Sequence, residues 1–94
     1  MLVHVRFLTA VREVVPSGET EVELADGATV DDLLRGLGEE YGPGLLDGIL
    51  RPDGQIWPEV AVMVDGRNIA FSGGLATRLA DGGQVTVLPV VSGG

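Results

Sequence analysis

Gln84-Val85-Thr86-Val87-Leu88-Pro89-Val90-Val91-Ser92-Gly93-Gly94 closes the chain, and its reading decides how everything before it is understood. Val85 and Val87 alternate with Gln84 and Thr86, a period of two that predicts a strand over residues 84–88. Pro89 has no backbone donor, so pairing is expected to stop there or the strand to become an edge. Gly93 and Gly94 lack a Cβ and form the thinnest backbone a chain can offer. An extended segment of this kind can thread a narrow pocket and bring only its terminal carboxylate to the chemistry. Residues 89–94 are therefore expected to form a flexible tail. The chain has 15 glycines, and Gly73-Gly74 and Gly82-Gly83 show that the dipeptide alone says little. Its position behind a β-run gives it meaning.

Length and composition narrow the function further. With 94 residues there is room for one core, hence a single domain over 1–94. The chain is 45% apolar and 21% charged, the balance of a packed globular domain. It has no cysteine, which removes disulfides, thiolate metal sites and a thiol nucleophile. Any sulfur held covalently must sit on another group, and the terminal carboxylate is the obvious one. Fourteen Asp and Glu against six Arg give a net charge of −8. That argues against nucleic acid or an anionic membrane as partner, since both require cationic surface. It favours protein partners with basic docking surfaces, or serves only solubility. No signal peptide or transmembrane run is visible, so the expected location is the cytoplasm.

Taken in order, residues 2–9 read as a first strand, with Val3, Val5 and Phe7 alternating against His4 and Arg6. His4 falls on the face away from the valines, and a solvated role suits it best. Residues 10–15 suit a helical turn, broken by Pro16-Ser17-Gly18. A second strand over 19–24 puts Val22 and Leu24 on one face. Glu19, Glu21 and Glu23 lie on the other, a solvated acidic face rather than a metal site. Thr29 reads as an N-cap, with Asp32 completing an approximate capping box and Asp31 beside it in the first turn. Val30, Leu33, Leu34, Leu37 and Tyr41 form the apolar stripe of the main helix. Gly36 and Gly38 within it allow close approach to the sheet or mark fraying. Gly42-Pro43-Gly44 is expected to end that helix, with a short helical segment after it through Leu45, Leu46, Ile49 and Leu50. Trp57 is assigned to the core edge. Residues 59–64 form a strand, Asp65-Gly66 signals a hairpin turn, and residues 67–69 return as a short strand. Phe71-Ser72-Gly73-Gly74-Leu75 is a glycine loop with no phosphate-binding fingerprint.

The order is therefore β-β-α-(short α)-β-β-β. One single-striped helix must lie on one face of a mixed sheet, with the first and last strands pairing centrally in parallel. That is an α+β, β-grasp fold.

The residues also resemble those of the MoaD/ThiS family of ubiquitin-like sulfur carriers. The likeness is carried by Val5-Arg6-Phe7 running into Ala10-Val11-Arg12-Glu13-Val14, and by Leu79-Ala80-Asp81-Gly82 through Val85 to Gly94. Phe71-Ser72-Gly73-Gly74-Leu75-Ala76-Thr77, with Ala80-Asp81-Gly82 and Leu88-Pro89, is most similar to the CysO type. The resemblance implies a carrier that is a protein cosubstrate, not an enzyme, and binds no cofactor or metal of its own. An adenylyltransferase of the ubiquitin-activating kind would use ATP to turn the Gly94 carboxylate into an acyl-adenylate. A sulfur donor would then displace AMP to leave a thiocarboxylate. Gly93 and Gly94 would fit the partner's constriction and Val90 and Val91 would anchor the tail in an apolar groove, with Ser92 and Pro89 completing the partner-binding tail. A sulfur-accepting enzyme is the second implied partner, either cysteine synthase-like or the large subunit of molybdopterin synthase. Three alternatives stay beside the cysteine-pathway reading: a molybdopterin synthase small subunit, a protein modifier conjugated through Gly94, and a binding module with an idle tail. All six basic residues are arginine, so the chain cannot form side-chain isopeptide chains with copies of itself.

Overall fold

In the computed structural model, residues 1–9 and 15–90 are described. The helical turn expected over 10–15 falls outside them except at Val15, which is buried. Five strands form one mixed sheet: β1 (Leu2–Phe7), β2 (Glu19–Glu23), β3 (Val60–Val64), β4 (Arg67–Asn68) and β5 (Gln84–Pro89), in the order β2-β1-β5-β3-β4. β1 pairs with β2 antiparallel and with β5 parallel, and β5 pairs with β3 antiparallel. The β-grasp fold is thus present, with first and last strands side by side at its centre.

Alternation assigns the two faces. Val3, Val5, Phe7, Val62, Val85 and Val87 are fully buried toward the helical side. His4, Arg6, Gln84 and Thr86 take the opposite face, as a period of two requires. The main helix α1 (Val30–Tyr41) covers the buried side with Val30, Leu33, Leu34 and Leu37. Tyr41 ends the stripe half-buried, its hydroxyl donating to Thr20 Oγ1 at 3.1 Å across the edge of β2.

The start of α1 is fixed twice. The Asp32 N–H donates to Thr29 Oγ1 at 3.3 Å, while Asp32 Oδ2 accepts from the Thr29 N–H at 2.9 Å, a full capping box. In addition, the Val30 N–H donates to Thr77 O and the Leu79 N–H to Ala28 O, tying the helix entry to the chain that leads into β5.

Two details refine the sequence expectation. Gly42-Pro43-Gly44 ends α1 as expected, with a short helix after it. Pro43 itself opens that helix, α2 (Pro43–Asp47), because a proline at the first helical position loses no needed donor. Leu45 and Ile49 then complete the core beneath it. Gly38 does permit a close approach, but by α2 rather than the sheet: a Cβ there would stand 2.6 Å from Leu46 Cδ1. Nothing stands within 4 Å of a Cβ at Gly36. The hairpin turn between β3 and β4 is as read, with Asp65 at φ 49° and Gly66 at φ 84°.

Two outcomes follow from this packing. Gly36→Ala removes backbone freedom at an open helical site and should stabilise the fold by up to about 1 kcal/mol. Gly38→Ala must push Leu46 aside and should gain less or destabilise, as read from paired urea midpoints. The second outcome concerns pH. The Thr29 backbone N–H, with its hydroxyl, holds the Asp32 carboxyl below the ordinary carboxylate range. A depressed folded-state pKa means the stabilisation is present above the unfolded-state value and is lost as pH falls through the folded-state one. Asp32→Asn should therefore flatten that acid limb in urea titrations repeated at descending pH.

Candidate functional site

The chemistry expected from the sequence lies at Gly94, and residues 91–94 fall outside the described region. The structure does define the place from which they depart. β5 does not stop at Leu88: Pro89 stands opposite Val60 in the ladder, and the Val90 N–H donates to Glu59 O at 2.8 Å. Paired residues thus extend two positions into the segment 89–94 expected as the tail. Proline is tolerated because antiparallel bonding alternates. With Val90 and Glu59 bonded, the 89–60 pair is a non-bonded one, so the nitrogen of Pro89 points away from β3. On that side β1 spans Leu2–Phe7, and among the described residues its final bond to β5 runs from the Leu8 N–H to Val87 O at 2.7 Å.

Among the described residues the last ladder bond of β5 is the one at Val90. Continuing the register would set residue 92 against Trp57. The Trp57 N–H already donates to Ile49 O at 3.1 Å, and its carbonyl accepts the Val60 N–H at 2.9 Å in a turn. The segment before β3 is therefore bound into its own loop.

Beside this exit lies an apolar groove of about 340 Å³. Ile56, Trp57 and Pro58 form one wall, Ile69 and Leu75 the other, Val60 and Val62 the floor, and Val90 joins the lining where the tail departs. No ionisable side chain lines it. Trp57 is held in place by its indole N–H, which donates to Asp47 O at 2.9 Å. The sequence reading put Trp57 at the core edge; it is half-buried in the wall of a groove that the reading did not find. Its walls come from two stretches read as separate loops, and only the pairing of β3 with β4 brings Ile69 and Leu75 across from Ile56. The lone visible signal was Ile56-Trp57-Pro58, three bulky residues between two turns.

The opposite face of the sheet carries a second surface. Leu88 and Ala61 are paired neighbours there, and Leu8 follows the last paired residue of β1. Glu19, Glu21 and Glu23 line the β2 edge of this face, with Glu19 Oε1 sharing a 3.0 Å hydrogen bond with His4 Nε2. This face is therefore apolar near the tail exit and acidic at its far side. No helix among the described residues is long and apolar enough to cross a membrane.

A five-stranded mixed sheet, one covering helix and a chain end leaving from the central strand define a ubiquitin-like β-grasp protein. Comparison with known proteins gives the particular family. The ThiS family model matches residues 5–94, and the chain belongs to that family. Small archaeal modifier protein 3 of Haloferax volcanii is 42% identical over 94 residues, covering all of both chains. Sulfur carrier protein CysO of Mycobacterium tuberculosis is 38% identical over 72 residues, 74% of this chain and 76% of that one. Among solved structures, a chain of the Amycolatopsis orientalis BexX/CysO complex superposes with a TM-score of 0.77 at 32% identity, covering 98% of this chain and 99% of that one. The relatives are small sulfur carriers and ubiquitin-like modifiers. Full-length similarity to a modifier means that the likeness does not single out the cysteine-pathway carriers.

Proposed function

We propose that the protein is a sulfur carrier whose Gly94 carboxylate is activated with ATP and converted to a thiocarboxylate. The observation that supports this most is the combination of ThiS membership with a Gly-Gly end placed four residues beyond the last ladder bond at Val90. A carboxylate is a poor acylating group until it carries a good leaving group. In the activating partner, a Gly94 carboxylate oxygen attacks the α-phosphorus of ATP and pyrophosphate leaves. A sulfur nucleophile then attacks the acyl carbon, the bond to AMP breaks, and the C-terminal thiocarboxylate remains. The folded body contributes no group to either step. It is a handle, and its acidic β2 edge suits partners that carry basic docking residues. The acceptor in this reading is a cysteine synthase-like enzyme acting on an activated serine derivative.

A second reading is favoured by the 42% identity to a modifier protein. There the activated Gly94 is attacked by a lysine amine of another protein, forming an amide. Since the chain has no lysine, copies cannot be linked through its own side chains. Both readings share the acyl-adenylate and part only afterwards.

Incubation with a ubiquitin-activating-type adenylyltransferase of this family, ATP and a sulfide source should raise the intact mass by one oxygen-for-sulfur exchange. Deletion of Gly94 should abolish the gain and leave thermal unfolding unchanged. Cysteine formed from phosphoserine or acetylserine by the thiocarboxylate supports the first reading, and Gly-Gly remnants on protein lysines support the second. An unchanged mass with every such adenylyltransferase would overturn both.

A further inference from the structure

Aspartate followed by glycine occurs five times in the chain: Asp26-Gly27, Asp47-Gly48, Asp53-Gly54, Asp65-Gly66 and Asp81-Gly82. Each pair holds the atoms for one intramolecular reaction. The glycine nitrogen can attack the side-chain carboxyl carbon of the aspartate before it, and no Cβ on the glycine crowds the approach. Two conditions apply. The N–H must be free to give up its proton and turn toward the carboxyl. The carboxyl must be free to meet it as the neutral acid, from which water can leave.

The fold withholds one or both conditions from four of the five pairs. Asp81 Oδ1 accepts the Leu2 N–H at 2.7 Å, and the Gly82 N–H donates to Leu2 O at 2.7 Å. Asp53 Oδ1 accepts the Gln55 N–H at 3.0 Å, its Oδ2 meets Arg51 at 2.9 Å, and the Gly54 N–H donates to Arg51 O. Asp65 Oδ1 accepts the Gln84 N–H at 2.8 Å. Gly48 has helical dihedral angles at the end of α2, and its N–H donates to Leu46 O. Asp26-Gly27 is held at neither end. The Asp26 side chain is 97% exposed, and its ion-pair partner among the described residues, the Met1 amine, is 3.7 Å away. So exposed a pair holds a carboxylate only weakly. Residues 25–28 form a β-turn closed by the Ala28 N–H on Ala25 O at 3.1 Å, and Gly27, at φ 85°, takes the turn position that favours glycine. Its N–H has no hydrogen-bond partner among the described residues, and nothing stands within 4 Å of where a Cβ would be.

We infer that Asp26-Gly27 is a site of spontaneous backbone isomerisation. The Gly27 nitrogen loses its proton and bonds to Asp26 Cγ, water leaves, and a five-membered succinimide forms. Water then reopens the ring. Addition at Cγ restores aspartate, and addition at the backbone carbonyl carbon gives isoaspartate, whose chain runs through Cβ and Cγ and is one methylene longer. No oxidant or cofactor is needed. The added methylene falls between Leu24, which is bonded to Met1 at the start of β1, and Ala28, whose carbonyl accepts the Leu79 N–H at the entry to α1. Isomerisation therefore loosens the helix entry. The tail departs from the other end of the parallel β1–β5 pair, so the end at Gly94 is left as it was.

The test holds the intact, folded chain for days at mildly acidic pH and physiological temperature. Isoaspartate is read by peptide mapping and by methyl transfer from S-adenosylmethionine with an isoaspartyl carboxyl methyltransferase, which esterifies the α-carboxylate that isomerisation exposes. Methyl label, and the transient loss of one water, should collect on the segment holding residues 26–27 ahead of the other four pairs. Asp26→Glu, whose imide would need a six-membered ring, should lose that label. Asp26→Asn, which expels ammonia instead of water, should accumulate it faster. In concentrated urea the preference should vanish, because the hydrogen bonds that protect the other pairs are gone. No label at 26–27 in the folded chain, equal label at a second pair, or a preference that survives urea would each overturn the inference. The isomerised fraction, once separated, should unfold at lower urea than its parent; an unchanged midpoint would overturn the effect on the helix entry. None of these readouts depends on the sulfur chemistry.

Discussion

The register between β1 and β5 is the constraint from which the rest follows. Val5 stands beside Val85 and Phe7 beside Val87, all completely buried under α1. Burying each such side chain is worth about 1.5–3 kcal/mol. A slip of one residue would bring Arg6 and Thr86 into that core and expel the valines. No competing register approaches this one in energy, so the central pair is locked. Because β5 also fixes β3, Val90 is set against Glu59 and the start of the tail has one position relative to the body. The core thereby decides where the chain end is offered.

The contacts that secure the body stand apart from the end of the chain that the carrier reading makes reactive. The capping box at Thr29, the close contact of Gly38 with Leu46 and the indole anchor of Trp57 all secure the body. All three lie within the body, between Thr29 and Trp57. The surface between is divided in the same way: carboxylates crowd the β2 edge, and apolar side chains gather near the exit at Leu8, Leu88 and Val90. A partner with a basic rim and an apolar centre would be oriented by the first and held beside the tail by the second.

Much of this was legible in the sequence, because local patterns coincide with what the fold needs. Alternation in Val3-Val5-Phe7 and Val85-Val87, the stripe from Val30 to Leu37, the Thr29–Asp32 cap and the Asp65-Gly66 turn each act within a few residues. Pro89 was read as the place where pairing stops or becomes an edge, and β5 does end there; what the sequence could not show is which side of the strand its missing donor faces. That side is set by β1 ending at Phe7, a fact of tertiary pairing. Gly42-Pro43-Gly44 was read as ending α1 with a short helix after it, and both are present; that Pro43 itself opens the second helix shows only once Leu45 and Ile49 enter the core. The groove was invisible for the same reason: Ile56 and Leu75 meet through β3 and β4, not through any spacing in the chain.

The central claim is that reactivity resides in the carboxyl end while the body presents it. The most direct measurement is the intact mass of the chain isolated rapidly from its own cells and treated at once with an alkylating reagent. A thiocarboxylate is trapped as a thioester, and digestion then places the label on Gly94. The account predicts a labelled fraction that disappears when the cells are starved of sulfur. A chain that carries only an unmodified carboxylate in sulfur-replete cells, with no adduct through Gly94, would contradict it.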